Sequence, residues 1–409
     1  MADTGPPREH LSTGYKASFG LVVMLGALTA FAALTIDMYL PGLPEIVRDL
    51  HAPAAGGALT VAAFYIGMCM GQLFHGPISD RMGRRRPLLA GIALYVLTTL
   101  GAAFAPSIES LIFLRFLQGL GGCAGLVLSR AFVRDRFEPQ ESAHLFSLLL
   151  LILSLSPILA PLIGSTILLF ASWRAIFLVL AVFGTVTGIA VFFALPETRS
   201  AATAEQARGE NPFQSYWAVL RERDVVGYAL ATGFAHAGLL TYLATTPDVV
   251  VTMFGKSPQV FGWVIAVNGI GLILANYVNR RLLGRYGYDF ILRRANICSL
   301  ICSGVLLANS ITGFGGLWGI LIPLFFIVGA IGFTQPNGLA GAMARDPKRA
   351  GSTSAVVGSL QFGLGAVGAS IAGALHDGTA RPMAAVIFTV YALAWAALRL
   401  SAPAAARRI

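Results

Sequence analysis

A single carboxylate stands in an otherwise apolar stretch. Asp37 interrupts ASFGLVVMLGALTAFAALTIDMYLPGLP, Ala17 to Pro44, and of the nineteen acids in the chain it alone lies inside a strongly apolar window. An ionisable group in hydrocarbon is expensive, and by default it marks proton or substrate handling. Its counterpart is Arg115, in LIFLRFLQGLGGCAGLVLSRAFVRD, with Gln118 three residues on along the same helical face. A segment running outward reaches Asp37 late, and one running inward reaches Arg115 early, so both belong to the same half of the bilayer. A nearby cation favours an ionised carboxylate while desolvation favours a protonated one. That opposition suits a reversible proton carrier. The bland alternatives are a permanent structural ion pair, or an acid facing water at a loosely defined helix end.

A second cluster lies in GQLFHGPISDRMGRRRPLL, Gly71 to Leu89. Gly71, Gly76 and Pro77 allow close helix approach and a sharp exit, and Gly83 permits a tight turn. Asp80 sits among Arg81, Arg84, Arg85 and Arg86, a compact place for charge-assisted hydrogen bonds. Further along, SLSPILAPLIGS puts Pro157, Pro161 and Gly164 nearly on one face, where proline removes backbone bonds and bends a helix. His236, Gln335, Asn337 and Gln361 are candidates to line a cavity, with interhelical bonding the equal alternative. Tyr39, Phe64, Tyr65, Phe234, Tyr242 and Phe362 are candidate apolar lining, with plain packing the alternative. Cys69, Cys123, Cys298 and Cys302 lie in apolar segments without metal-ligand spacing. GxxxxGK[ST], HExxH and GxSxG are all lacking from the sequence. No catalytic residue, metal or cofactor is therefore expected, and the protein is not expected to be an enzyme.

These residues must be held by membrane helices. Hydrophobic residues make up 56% of the 409 and charged ones 12%, whereas globular proteins run at about 45–50% and about 25%. Apolar runs of bilayer-spanning length predict twelve helices: 18–40, 56–79, 87–105, 110–132, 142–168, 174–195, 225–247, 259–280, 295–311, 317–342, 351–374 and 382–400. The polar break between the sixth and seventh, rich in charges of both signs, divides them six and six. The expected organisation is a tail at 1–16, a six-helix bundle at 17–195, a linker at 196–224, a second bundle at 225–400 and a tail at 401–409. With the first residues cytoplasmic, 24 of the 29 basic residues fall inside, Arg48, Arg174, Lys256 and Arg381 fall outside, and Arg115 lies within a span. That bias predicts cytoplasmic termini and makes the net charge of +10 topogenic, with no nucleic-acid role. A shift of 204 residues lays Arg81 and Gly83 on Arg285 and Gly287, but Gly284 falls where Asp80 would.

The Gly71–Leu89 loop resembles the signature loop of the major facilitator superfamily. Arg115-x-x-Gln118-Gly119 resembles the fourth-helix motif of its proton-coupled members. The Pro157–Gly164 stretch is similar to the fifth-helix motif of drug–proton antiporters, although the usual form is richer in glycine. Together with IDMYLPGLPEI near the start, these motifs point to the bicyclomycin and chloramphenicol resistance branch of bacterial twelve-helix exporters. The resemblance implies an all-α membrane protein with two six-helix bundles around a central cavity. It implies a monomeric, proton-coupled multidrug antiporter that exports small apolar drugs across the bacterial inner membrane by alternating access. In it Asp37 and Arg115 would couple protons. Gly71, Asp80, Arg81, Gly83, Arg84 and Arg85 would latch the cytoplasmic ends of the two halves, with Asp80 near the helix N-terminus at Ser352 and Thr353. Tyr39, Gln118, Pro157, Pro161, His236, Gln335, Asn337 and Gln361 would line the cavity. The competing reading is a proton-coupled uptake symporter for a small metabolite.

Overall fold

Every expected span becomes a helix, and most helices outrun their apolar stretch. The computed structural model describes residues 18–53, 55–199, 205, 211–346 and 349–401. The long helices are α1 (Phe19–Asp37), α3 (Ala55–Met82), α4 (Arg85–Ala103), α5 (Ile108–Arg136), α6 (Pro139–Ile167) and α7 (Trp173–Ala194). They continue with α9 (Arg223–Pro247), α10 (Pro258–Tyr286), α11 (Tyr288–Thr312), α12 (Gly316–Arg345), α13 (Ala350–Ala374) and α14 (Arg381–Ala397). Two short helices are added, α2 (Leu43–Asp49) and α8 (Pro212–Arg221). Nine of the described helices are long and apolar enough to cross a bilayer, and α14 is shorter. Helices such as α5 and α10 run on past the apolar run into basic residues because backbone hydrogen bonding does not stop where hydropathy does. The expected first span instead ends early, at Asp37, where Pro41 and Pro44 turn the chain into a short 3-10 segment, Leu40–Gly42, and then α2.

Arg8, Lys16, Arg208, Lys348, Arg407 and Arg408, counted above for topology, lie outside the described residues, as do the tail at 1–16 and most of that at 401–409.

Small residues let the helices approach. At the crossing of α3 and α5, a Cβ on Gly67 would sit 2.1 Å from the Phe116 carbonyl oxygen, and one on Gly119 would sit 2.2 Å from that of Phe64. Glycine at both positions brings Phe64 up against Arg115, one turn before Gly119. Gly71 continues the same seam against Cys123.

Two seams join the halves. Along α3 and α13, Ala58 meets Gly373, Cys69 Sγ lies 3.1 Å from Ser359 Oγ, and Gln72 packs on Gly358. Along α6 and α10, contact is made by Ile158 with Gly269 and by Pro161 and Ser165 with Gly262, and Gln259 Nε2 donates to the Ser165 carbonyl at 3.0 Å. The second seam lies toward the end opposite the arginine-rich loop, and Leu40–Asp49 touches α9, α10 and the π-helical turn Asp248–Met253 at that same end. The bundle is closed there.

Candidate proton and substrate site

Asp37 is the last residue of α1 and is only 5% exposed. Its carboxylate has no hydrogen-bond or ion-pair partner among the described residues. Arg115, in α5, is 0% exposed. Its guanidinium carbon sits 4.3 Å from the ring centre of Tyr39, 4.4 Å from that of Phe64 and 6.0 Å from that of Phe177. Nη1 donates to Gln118 Oε1 at 2.7 Å, and Gln118 Nε2 passes the chain on to Thr99 Oγ1 at 2.8 Å. Tyr39 is pinned by a 2.5 Å hydroxyl contact with Thr60.

The direct Asp37–Arg115 pair weighed above is therefore corrected: the two groups do not meet as an ion pair. Aromatic faces meet the guanidinium instead, through the attraction of a cation for ring electrons. Nε and Nη2 of Arg115 find no acceptor among the described residues. The Tyr65 hydroxyl is likewise buried and unpartnered, and it lies in the electrostatic field of both Asp37 and Arg115. Carboxylate, phenol and guanidinium are thus three neighbouring groups with unmet polar atoms among the described residues. One proton or a small rotation can change which of them are joined.

Where the two halves meet, Phe362 stands 6.3 Å from Tyr65, centre to centre, and 5.8 Å from the His236 ring, edge on. Gln335 Nε2 lies 3.1 Å from His236 Nδ1. The structure thus brings Tyr65, Phe362, His236 and Gln335 together from α3, α13, α9 and α12. The other cavity candidates are placed differently. Gln118 and Tyr39 serve the Arg115 cage. Asn337 donates to Asn279 Oδ1 at 2.7 Å, an interhelical bond. Pro157 and Pro161 abut α10 at the closed seam. Gln361 is buried on α13.

Among the described residues, the bonds of the loop cluster run within the first half and to the start of the linker. Arg84 is buried; Nη1 bonds Asp80 and, at 2.7 Å, Ser79 Oγ, while Nε donates to Asp135 Oδ2 at 2.7 Å. Asp80 also accepts through its carbonyl from Arg199 of the linker, so among the described residues its bonds run to the first half and the linker. Gly83 has φ +93°, and a Cβ there would strike the Glu197 carboxylate. Glu197 accepts from the backbone N–H groups of Arg84 at 2.8 Å, Arg85 at 3.2 Å, and Thr198 and Arg199 at 3.0 Å each. Arg85 reaches the Phe192 carbonyl, and Arg81 accepts a bond from Arg199 through its own carbonyl. Asp135 and Glu197 escaped the sequence reading, since nothing in their spacing ties either to residues 79–85.

Partial burial pushes the Glu197 carboxyl up, but its four backbone donors outweigh that and hold it below the ordinary carboxylate range. A lowered carboxyl contributes stability above its ordinary titration and loses it as pH falls through the lowered value. The melting-temperature gap between the wild type and Glu197→Gln is accordingly expected to be full at neutral pH and to close in acid, below about pH 4. Thermal scans across that range check this, and a gap independent of pH contradicts it.

Residues 25–369 match the family described as the Major Facilitator Superfamily. The chain belongs to the Major Facilitator Superfamily. The MFS-type transporter YdgK of Bacillus subtilis is 38% identical over 93% of this chain and 94% of its own length. The bicyclomycin resistance protein homolog of Haemophilus influenzae is 31% identical over 90% and 92%. Among solved structures, a single-substitution mutant of the nucleoside transporter NupG superposes with a TM-score of 0.74 over 94% of this chain and all of its own, at 14% identity. That last likeness speaks to the fold: a multi-pass, all-α membrane protein of two six-helix bundles around a central cavity.

Proposed function

We propose that this superfamily member is a proton-coupled multidrug antiporter. It exports small, largely apolar drugs across a bacterial inner membrane by alternating access, as a monomer with both termini cytoplasmic. The arginine-rich end then faces the cytoplasm, and the closed seam at Ser165 and Gln259 faces outward, so the cavity opens inward. The observation that carries the reading is Asp37, buried and without a partner among the described residues, with Tyr65 in the field of both it and a caged Arg115. An unpaired carboxylate in such a place is costly, and a proton, water or the guanidinium can relieve it. Because those reliefs differ with the direction in which the cavity opens, proton occupancy biases the conformational equilibrium. The aromatic wall of Tyr65, Phe362 and His236 supplies adaptable apolar contact for drugs, with Gln335 as a polar handle. The likeness to a relative named for bicyclomycin resistance supports the export direction.

Inside-out vesicles energised to an acidic lumen test it. Adding a transported drug is expected to drive protons out of the lumen as drug enters. Proton movement in the same direction as the solute would establish the uptake symporter instead.

A further inference from the structure

Within the polar linker, α8 carries two apolar faces. Tyr216 and Val219 are buried in a cluster with Val225 and Tyr228 of α9 and Val356 and Val357 of α13, against Leu73 of α3. The opposite face shows Phe213, Trp217 and Leu220, at positions i, i+4 and i+7, exposed by 62%, 59% and 44%. A groove of about 420 Å³ runs along Phe213, Gln214, Trp217, Ala218 and Arg221. The Arg221 guanidinium lies 5.2 Å from the centre of the Trp217 ring, so it closes one end of that groove.

The depth of α8 follows from its attachments. It ends at Arg221, and only Glu222 separates it from Arg223, where the long helix α9 begins. The Tyr216 hydroxyl donates to the Leu73 carbonyl at 2.9 Å, and Phe213 meets Phe74 edge to face at 6.2 Å. Leu73 lies nine residues before the end of α3, or about 13 Å at the helical rise per residue. The exposed ladder is thus at the membrane–water boundary, where an aromatic and aliphatic face enters the headgroup zone while arginine reaches outward. Arg221 and Arg223 outnumber Glu222 in this exposed corner, so the local charge is positive.

We propose that this face of α8 is a docking surface for an acidic phospholipid of the adjoining leaflet. The acyl chains would lie on Phe213, Trp217 and Leu220, and the phosphate would meet Arg221. The inner face of α8 grips α3 of one half and α9 and α13 of the other, so the bound lipid would brace the point where the halves adjoin. This does not depend on what the protein transports.

The test uses the full chain in nanodiscs, comparing neutral phosphatidylcholine with the same lipid containing phosphatidylglycerol, and reads amide hydrogen exchange over residues 212–221. Phosphatidylglycerol is expected to slow exchange there about fivefold, the worth of one arginine at an acidic surface. Arg221→Gln is expected to abolish that difference, and Phe213→Ser with Leu220→Ser to raise exchange in both membranes. Equal protection in neutral and acidic discs would overturn the proposal. So would an undiminished difference in Arg221→Gln, or equal protection by inorganic phosphate added to neutral discs.

Discussion

Asp37→Asn is expected to fold, to reach the membrane at wild-type levels and to lose gradient-driven efflux to background. The reasoning starts from what the carboxylate lacks. Asp37 makes no bond among the described residues that asparagine would break, so the substitution exchanges one buried polar group for another of nearly equal size. Stability should therefore move little, since large losses come from cavities and orphaned partners and neither is created here. What disappears is the only titratable acid of the site, and with it the charge difference that links proton occupancy to the opening direction. Drug binding is expected to persist because Tyr65, Phe362, His236 and Gln335 are untouched. Efflux at matched expression, with drug binding by the purified variant, checks both halves of the prediction. Undiminished uphill efflux would remove Asp37 from the mechanism.

Arg115→Met is expected to abolish coupled efflux while changing stability by no more than about 2 kcal/mol in either direction. Breaking a buried ion pair leaves an orphaned charge and costs about 3–5 kcal/mol. Arg115 has no acid partner among the described residues, however, so its removal strands no carboxylate there. The variant loses ring contacts worth about 2 kcal/mol at most when desolvated and leaves Gln118 one bond short, at about 1–3 kcal/mol. Against those losses stands relief from keeping a guanidinium in apolar surroundings, several kcal/mol per ion. The terms nearly cancel. Melting temperature and efflux measured together decide it: a large fall in stability would make Arg115 a structural strut, and retained coupling would place the proton chemistry elsewhere.

The parts of this site that could be read from the sequence are those with an unusual residue type in an apolar window. Asp37 and Arg115 stood out as lone charges, and the twelve spans stood out as long apolar runs separated by basic loops. The distance between the two charges did not, because it depends on the rotation and register of α1 against α5, which the close approach of Gly125 to the Leu28 backbone helps to set. Tyr65 was legible only as one aromatic among many. Its unpartnered hydroxyl emerges once α3 is packed. Glu197 and Asp135 were hidden for a related reason: sequence-distant acids join the loop network only after α5 and α7 return to the same end of the bundle. The linker helix α8 was masked by composition, since Phe213, Trp217 and Leu220 are diluted by flanking charges and sort to one face only when wound into a helix.

The account rests on a proton leaving or entering at Asp37 when drug binds, and proton release from the purified protein measures that most directly. In weakly buffered detergent solution near neutral pH, drug added to the wild type is expected to release protons in proportion to binding, and drug added to Asp37→Asn is expected to bind and release none. Equal release from both proteins would contradict the account.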